Sequence, residues 1–135
     1  MKVSKEIAEQ EFMDWFKAKK LPIYLLEKNA DDKEAIISAI EEGILSKDED
    51  HKFTQILSFP INVPDSEPIT KLEYVFRVAE GVLASSMKGI KTDDLIGQIS
   101  ICYVSVLTGQ NKGIIRALDP SDSYLGKKIA AFFFI

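Results

Sequence analysis

Only a few side chains in this sequence could do chemistry, and none has the neighbours that a reaction would require. His51 is the single histidine and Cys102 the single cysteine, and the two lie far apart in the chain. A zinc site in a protein needs three or four ligands at workable spacing. His51 also falls in a polar connector, where an exposed side chain is expected. The sequence therefore predicts no metal site.

Cys102 falls on the apolar stripe of a predicted helix, with no base placed to activate its thiol. A free cysteine at such a position behaves as a small hydrophobic residue. A single cysteine also excludes an internal disulfide and is typical of a reducing compartment. We therefore expect Cys102 to be a buried core residue and not a nucleophile.

The segment Thr108–Gly113 has the glycines and the lysine of a phosphate-binding loop, but not their order. In a P-loop the lysine is followed by serine or threonine, after a buried strand and before a helix. Here Gly113 follows Lys112, and the residues before the segment have helical spacing. We expect a helix end and a turn, with Gly109 as the left-handed residue.

Two pairs of acidic residues, Asp93 with Asp94 and Asp119 with Asp122, are the remaining candidates for catalysis. Both pairs fall at predicted helix starts, where carboxylates cap free amides and complement the helix dipole. The sequence therefore predicts no catalytic residue, no cofactor and no enzyme. An enzyme with an unrecognised site stays open, and a pocket that gathers polar groups with shifted pKa values would favour it.

The composition is that of a folded domain with no strong attraction to nucleic acid. The chain has 135 residues, of which 46% are hydrophobic, and a formal net charge of −4. A chain of this length can bury about two thirds of its unfolded surface, so we expect a sizeable core. No signal peptide is visible, nor any run of roughly 18 apolar residues as a membrane span requires. We expect a cytoplasmic protein whose partners are neither nucleic acid nor membrane.

The first fifty residues predict an N-terminal helical extension. Residues 4–20 show helical spacing of apolar side chains, and Pro22 should close this helix. Its expected apolar side consists of Ile7, Ala8, Phe12, Trp15 and Phe16. The polar connector at 46–50 is the predicted boundary between this extension, residues 1–50, and a second domain, residues 51–135.

Between the first helix and the boundary we expect a turn and a second helix. The turn should pack Tyr24 and Leu25 inward. The second helix should start from a capping pair formed by Asp31 and Glu34 and end near Gly43. Its expected apolar positions are Ile36, Ile37, Ile40, Ile44 and Leu45.

Beyond the boundary the apolar period changes from helical to alternating, which predicts a β-hairpin with a loose, proline-rich loop. The expected inward residues are Phe53, Leu57 and Phe59 in the first strand, and Leu72, Tyr74 and Phe76 in the second. A short helix broken at Gly89 and a helix capped by Thr92 should follow. The predicted fold class is α+β: a mainly helical domain with one β-hairpin, preceded by the N-terminal helical extension.

The last eighteen residues predict the clearest helix start in the chain. Asp119 is a natural N-cap and Pro120 suits the first helical position. The apolar stripe that follows consists of Leu125, Ile129, Phe132 and Phe133. Phe134 and Ile135 extend apolar character around the helix, so this segment is either deeply buried or an interface for a partner.

Residues 52–135 resemble the small tail assembly chaperones of long-tailed bacteriophages. In that family a hairpin with a central proline precedes a helical region, and the chain closes with a Leu-x-Pro-x-Asp helix start and an Ala/Phe-rich end. Residues 1–49 depart from this pattern, because related proteins lack such an extension. The matching pieces are Ile56–Ile61, Pro68–Arg77, Thr108–Gly109, Leu118–Asp122 and Ala130–Phe133.

The resemblance implies a protein that binds the phage tape measure protein and keeps it soluble while tail tube subunits polymerise around it. Such chaperones act in the host cytoplasm and are absent from the mature virion. Many also have a longer, frameshifted form, which is a possible partner here. Capture would use an apolar surface, or self-association that builds one. The residues expected to form that surface are Leu125, Ile129, Phe132, Phe133 and Phe134.

One alternative of a different class remains: a small dimeric α+β regulatory or adaptor protein that acts by protein–protein interaction. It requires the same amphipathic helices, so the sequence barely separates the two functions. Gene neighbourhood would separate them, because a chaperone gene should lie directly before a very long coiled-coil gene.

Overall fold

The computed structural model describes residues 1–91 and 93–134. Within these residues the chain forms helices around a three-stranded antiparallel sheet of order β1-β2-β3, which confirms the predicted α+β class. The helices are α1 (Lys5–Ala18), α2 (Leu25–Lys28), α3 (Ala30–Glu41), α4 (Glu80–Ser86), α5 (Leu95–Thr108), α6 (Lys112–Arg116) and α7 (Pro120–Ala130). The strands are β1 (Leu45–Lys47), β2 (Phe53–Ile61) and β3 (Ile69–Tyr74).

Helix α1 starts where the sequence predicts a helix, because the Ser4 hydroxyl accepts a hydrogen bond from the amide of Ile7 at 3.2 Å. Four of its five predicted apolar residues are buried: Ala8, Phe12, Trp15 and Phe16. Ile7 is the exception and is exposed. The apolar side of α1 is therefore narrower than the sequence suggests.

The largest side chains of α1 pack against the last aromatic residues of the chain. The ring of Phe12 lies 5.6 Å from that of Phe132 in an edge-to-face arrangement. Trp15 contacts Phe132 at 5.8 Å and Phe53 of β2 at 5.1 Å. The hydrophobic core therefore includes residues from both sides of position 50, while the division into 1–50 and 51–135 stays a prediction.

The connection from α1 to α3 differs from the prediction in the position of Tyr24 and in the residue that starts α3. Leu25 is buried, but Tyr24 points outward and is exposed. Helix α3 begins two residues earlier than the predicted capping pair, with Asn29 at the N-cap in place of Asp31 and no side-chain hydrogen bond there. Asp31 lies within the first turn, where its charge complements the helix dipole.

Strand β1 was not predicted. Helix α3 ends before Gly43, whose φ of 80° turns the chain back toward the sheet. Leu45 then pairs with Gln55 of β2 and is buried as a strand residue, not as the last turn of a helix. Lys47 of the same strand forms ion pairs with Glu11 and Asp14 of α1 at 3.3 and 3.2 Å.

The predicted hairpin is present, but β2 does not keep one face inward along its whole length. Phe53 and Leu57 are buried, whereas Phe59 is exposed. The pairing of β2 with β3 shifts register between Ile56 and Ile61, which moves Phe59 out of the alternation. On β3 the predicted inward residues Leu72 and Tyr74 are buried, while Phe76 lies beyond the strand and is half-buried.

The helices after the hairpin follow the prediction with one addition. Helix α5 ends at Gly109, whose φ of 70° confirms the predicted left-handed cap. Helix α6 begins within the segment that the sequence predicts to be a turn, and Asn111 caps it by accepting from the amide of Ile114 at 2.9 Å. The predicted cap Thr92 lies outside the described residues. No helix among residues 1–91 and 93–134 has the length and apolar character to cross a bilayer.

Candidate functional site

The start of α7 has the cap that the sequence predicts. The carboxylate of Asp119 accepts from the amide of Ser121 at 3.0 Å and from its hydroxyl at 2.6 Å. These hydrogen bonds, the one from the hydroxyl first, lower the pKa of Asp119. Pro120 occupies the first turn, where its missing amide proton leaves no acceptor unpaired. The helix start at this point is therefore set by local residues.

Asp122 does more than complement the helix dipole, which was its predicted role. Its side chain is buried, and its two carboxylate oxygens accept from the amides of Ser58 at 2.8 Å and Phe59 at 3.0 Å. These amides lie in β2 where its pairing with β3 shifts register. The carboxylate thus satisfies strand donors at that irregularity, and fixes α7 against the sheet.

A second polar contact holds the same helix in place. Gln55 of β2 donates to the carbonyl of Asp122 at 2.9 Å and accepts from the hydroxyl of Tyr74 at 2.6 Å. All three side chains are buried, so each of these polar groups depends on the others. A Cβ atom at Gly126 would lie 3.0 Å from the Tyr74 hydroxyl oxygen, a tighter contact than most side chains make, so glycine favours this close approach of α7.

This docking decides where the five predicted protein-binding residues lie. Leu125, Ile129 and Phe132 are buried in the core. Phe133 is half-buried. Phe134 is 59% exposed, and it is the member of the set that reaches the surface most fully. As a binding surface the five residues remain a prediction, but in the folded chain Phe134, with part of Phe133, is what a partner can touch. Ile135 lies outside the described residues.

Phe134 forms one wall of an apolar groove of about 200 Å³. The ring of Phe134 meets that of Tyr103 edge-to-face at 5.7 Å between centroids. The groove runs between the first half of α5 and the end of α7. Its lining is Ile96, Ile99, Ser100, Tyr103, Lys127, Ala130, Ala131 and Phe134.

Helix α5 supplies the other wall, and its composition is unusual for a helix with an open side. None of its residues, Leu95–Thr108, is charged. Its second half is largely buried, but Leu95 is exposed and Ile96 is 82% exposed. A helix that is apolar all round is expected to be covered on every side. Among the described residues, nothing covers Leu95 and Ile96 at the start of α5.

The groove has few polar groups, and at neutral pH Lys127 is the charged residue among those that line it. Burial, with a further contribution from the charge of Glu80, raises the pKa of Tyr103, so its hydroxyl keeps its proton at neutral pH. Lys127 is exposed beside the groove and presents an ammonium group to it. The site therefore offers a mainly apolar wall with two hydroxyls, those of Ser100 and Tyr103, and one positive charge.

The residues considered for chemistry do not converge on this groove. Cys102 is fully buried, which confirms the predicted core position. His51 is not the exposed linker residue that was predicted: it is half-buried, with its ring 5.1 Å from that of Phe76 and its Nδ1 buried without a hydrogen-bond partner. Asp94 occupies the N-cap of α5, but its side chain makes no cap hydrogen bond.

No cluster of three or more metal-ligating side chains occurs within residues 1–91 and 93–134. Sequence reasoning found one wall of the groove, through the apolar excess at Phe134, and missed the other. The signal for the missed wall was the uncharged sequence of α5, read only as a core stripe. No protein-family model matches this chain, and no curated protein or solved structure matches it significantly.

Proposed function

We propose that this chain is a tail assembly chaperone of the kind found in long-tailed bacteriophages, and that it binds the tape measure protein. The observation that carries the proposal is the open apolar groove between α5 and Phe134. The resemblance of residues 52–135 to that chaperone family supplies the identity of the client.

The groove suits the apolar face of an amphipathic helix. Such a helix presents anchors at i, i+3, i+4 and i+7, and these dock into hydrophobic grooves between helices. Ile96 lines the wall formed by α5, and Phe134 lines the other with the small residues Ala130 and Ala131. Small residues in a groove floor let bulky anchors enter. A tape measure protein, a long amphipathic helix whose stripe would otherwise aggregate, meets this description.

Lys127 and Tyr103 give the groove a polar preference. An acidic side chain next to the client's apolar stripe would meet the Lys127 ammonium, and the Tyr103 hydroxyl is a donor. The net charge of the whole chain is −4, so this positive contact is local. Exposed ion pairs contribute little affinity, and we assign most of the binding to apolar contact.

A pulldown with a fragment of the tape measure protein encoded by the same phage genome tests the proposal. Phe134→Asp should abolish capture and leave the melting temperature within about 2 °C, because an exposed surface change usually costs under 0.5 kcal/mol. Ile56→Asp is the matched control: Ile56 is 58% exposed but lies on β2 and does not line the groove. It should retain capture.

Phe132→Asp separates the core from the surface. Phe132 is fully buried against three aromatic rings of α1, so a carboxylate there should prevent folding. If Phe134→Asp and Ile56→Asp capture the fragment equally well, the groove is not the binding site. If the fragment is never captured and Phe134→Asp instead converts a dimer to a monomer, the dimeric adaptor function is correct and the chaperone proposal is wrong.

A further inference from the structure

A second cavity, separate from the groove, gathers positive charge. It has a volume of about 490 Å³ and lies between the end of α1, the loop after β3 and the ring of Phe133. Three of its lining residues are basic: Lys19, Lys20 and Arg77. The other lining residues, Ala18, Phe76, Val78 and Phe133, carry no charge. Among the described residues no carboxylate forms an ion pair with the three basic side chains.

Lys19 is held in a fixed position inside this cavity. Its Nζ donates to the carbonyl of Phe76 at 2.6 Å and lies 3.9 Å from the centroid of the Phe133 ring. The rings of Phe76 and Trp15 lie 4.9 and 5.5 Å away. The ammonium has three N–H donors, and one of them is used by the Phe76 carbonyl. The aromatic faces surround the group, and its other two donors make no hydrogen bond among the described residues.

The positive charges of Lys19 and Arg77 repel each other. Burial, together with the positive charge of Arg77, lowers the pKa of Lys19 to about 8. A fold that brings like charges together without an acidic neighbour loses stability, and such arrangements are concentrated at functional sites.

Lys20 adds a second cost at the same cavity. Its φ is 57°, in the left-handed region that disfavours residues with a Cβ atom. It follows the end of α1, where glycine is the usual residue. Lysine at this position gives up the conformational advantage of glycine and places a third positive charge in the cavity wall.

We propose that the cavity lined by Lys19, Lys20 and Arg77 is a binding site for an oxyanion, either phosphate or carboxylate, whose neighbouring atoms are apolar. Two N–H donors of the Lys19 ammonium and the planar N–H donors of the Arg77 guanidinium match the oxygens of such a group. The rings of Phe76 and Phe133 provide the apolar surface beside it. The anion is either a free small molecule or the acidic side chain of a bound protein, and the two sources are separable. The proposal does not depend on the chaperone function.

The first experiment measures binding of inorganic phosphate, and of a glutamate-containing helical peptide, to the intact chain by isothermal titration calorimetry at fixed ionic strength. Sodium chloride serves as the control salt. We expect saturable binding of at least one probe. Binding of phosphate alone identifies a free anion as the ligand. Binding of the peptide that is lost when its glutamate is changed to glutamine identifies an acidic protein side chain.

The variants test the residues, and one of them separates binding from folding. Lys20→Gly should raise the melting temperature, because it relieves the left-handed lysine, and yet weaken anion binding about tenfold. Arg77→Gln should weaken binding by a similar factor, whereas Arg116→Gln, a change of an exposed arginine elsewhere, should not. If neither probe saturates, or if Lys20→Gly and Arg77→Gln bind like the unchanged chain, the cavity is not an anion site.

Discussion

Asp122→Ala tests how the closing helix is held against the sheet. The change removes both carboxylate oxygens, which accept from the amides of Ser58 and Phe59 at 2.8 and 3.0 Å. A hydrogen bond to a charged group contributes about 1.5–3 kcal/mol, and we take the lower end because both amides belong to exposed residues. The loss should be about 3 kcal/mol, or roughly 10 °C in Tm.

The same helix provides the comparison that isolates this effect. Asp119→Ala removes an exposed N-cap and should cost about 1 kcal/mol. Urea denaturation gives both free energies of unfolding, and amide hydrogen exchange reports directly on the two strand amides. In Asp122→Ala the amides of Ser58 and Phe59 should lose protection, while in Asp119→Ala they should keep it. The reasoning is refuted if Asp122→Ala costs no more than Asp119→Ala or leaves both amides protected.

Two further predictions concern the contact of Gly126 with Tyr74 and the cavity lined by Lys19, Lys20 and Arg77. Gly126→Ala should destabilise the fold by about 1–3 kcal/mol, since its Cβ would lie 3.0 Å from the Tyr74 hydroxyl oxygen. Tyr74→Phe removes that oxygen, so the double variant should cost less than the sum of the two single changes; additive costs in urea denaturation would contradict this. The pKa of Lys19 is about 8 in the folded chain and 10.5 when unperturbed. Between pH 8 and pH 10.5 the unfolded state therefore binds more protons than the folded state. The free energy of unfolding should rise with pH across that window. Denaturation at pH 8 and pH 10 should show the rise, and Lys19→Gln should lack it; an equal pH dependence in both chains would contradict the account.

The sequence is sufficient where structure depends on neighbouring residues. Asp119 and Pro120 set the start of α7, and Gly109 ends α5, because caps act within one helical turn. Helical spacing also predicts the buried side of α1, apart from the exposed Ile7. Burial of Cys102 is predicted in the same way, because the apolar stripe of a helix usually packs against the core.

The sequence is not sufficient where distant segments decide. Strand β1 has three residues, too few for alternation to be separated from the end of a helix. Phe59 is exposed because the β2–β3 pairing shifts register, and no local pattern marks that shift. The role of Asp122 depends on amides 64 and 63 positions away in the chain. Its position near a helix start predicts only that Asp122 complements the helix dipole, and does not reveal its hydrogen bonds to β2.

The candidate groove shows the same division. The run of phenylalanines indicated an apolar excess, and the structure separates it into the buried Phe132, the half-buried Phe133 and the exposed Phe134. The separation arises because α7 is fixed by Asp122 and Gly126, and its end then lies beside α5. The opposite wall was not identified, because Ile96 stands next to the predicted stripe and not on it.

The most direct test of the groove as a client-binding site is the affinity of a synthetic tape measure peptide for Ile96→Asp, measured by calorimetry. Ile96 is 82% exposed at one wall of the groove, and Ile23, 76% exposed on the far connection between α1 and α2, is its matched control. We predict that Ile96→Asp weakens binding at least about tenfold, while Ile23→Asp leaves it unchanged. Equal affinity of the two variants for the peptide would contradict the account.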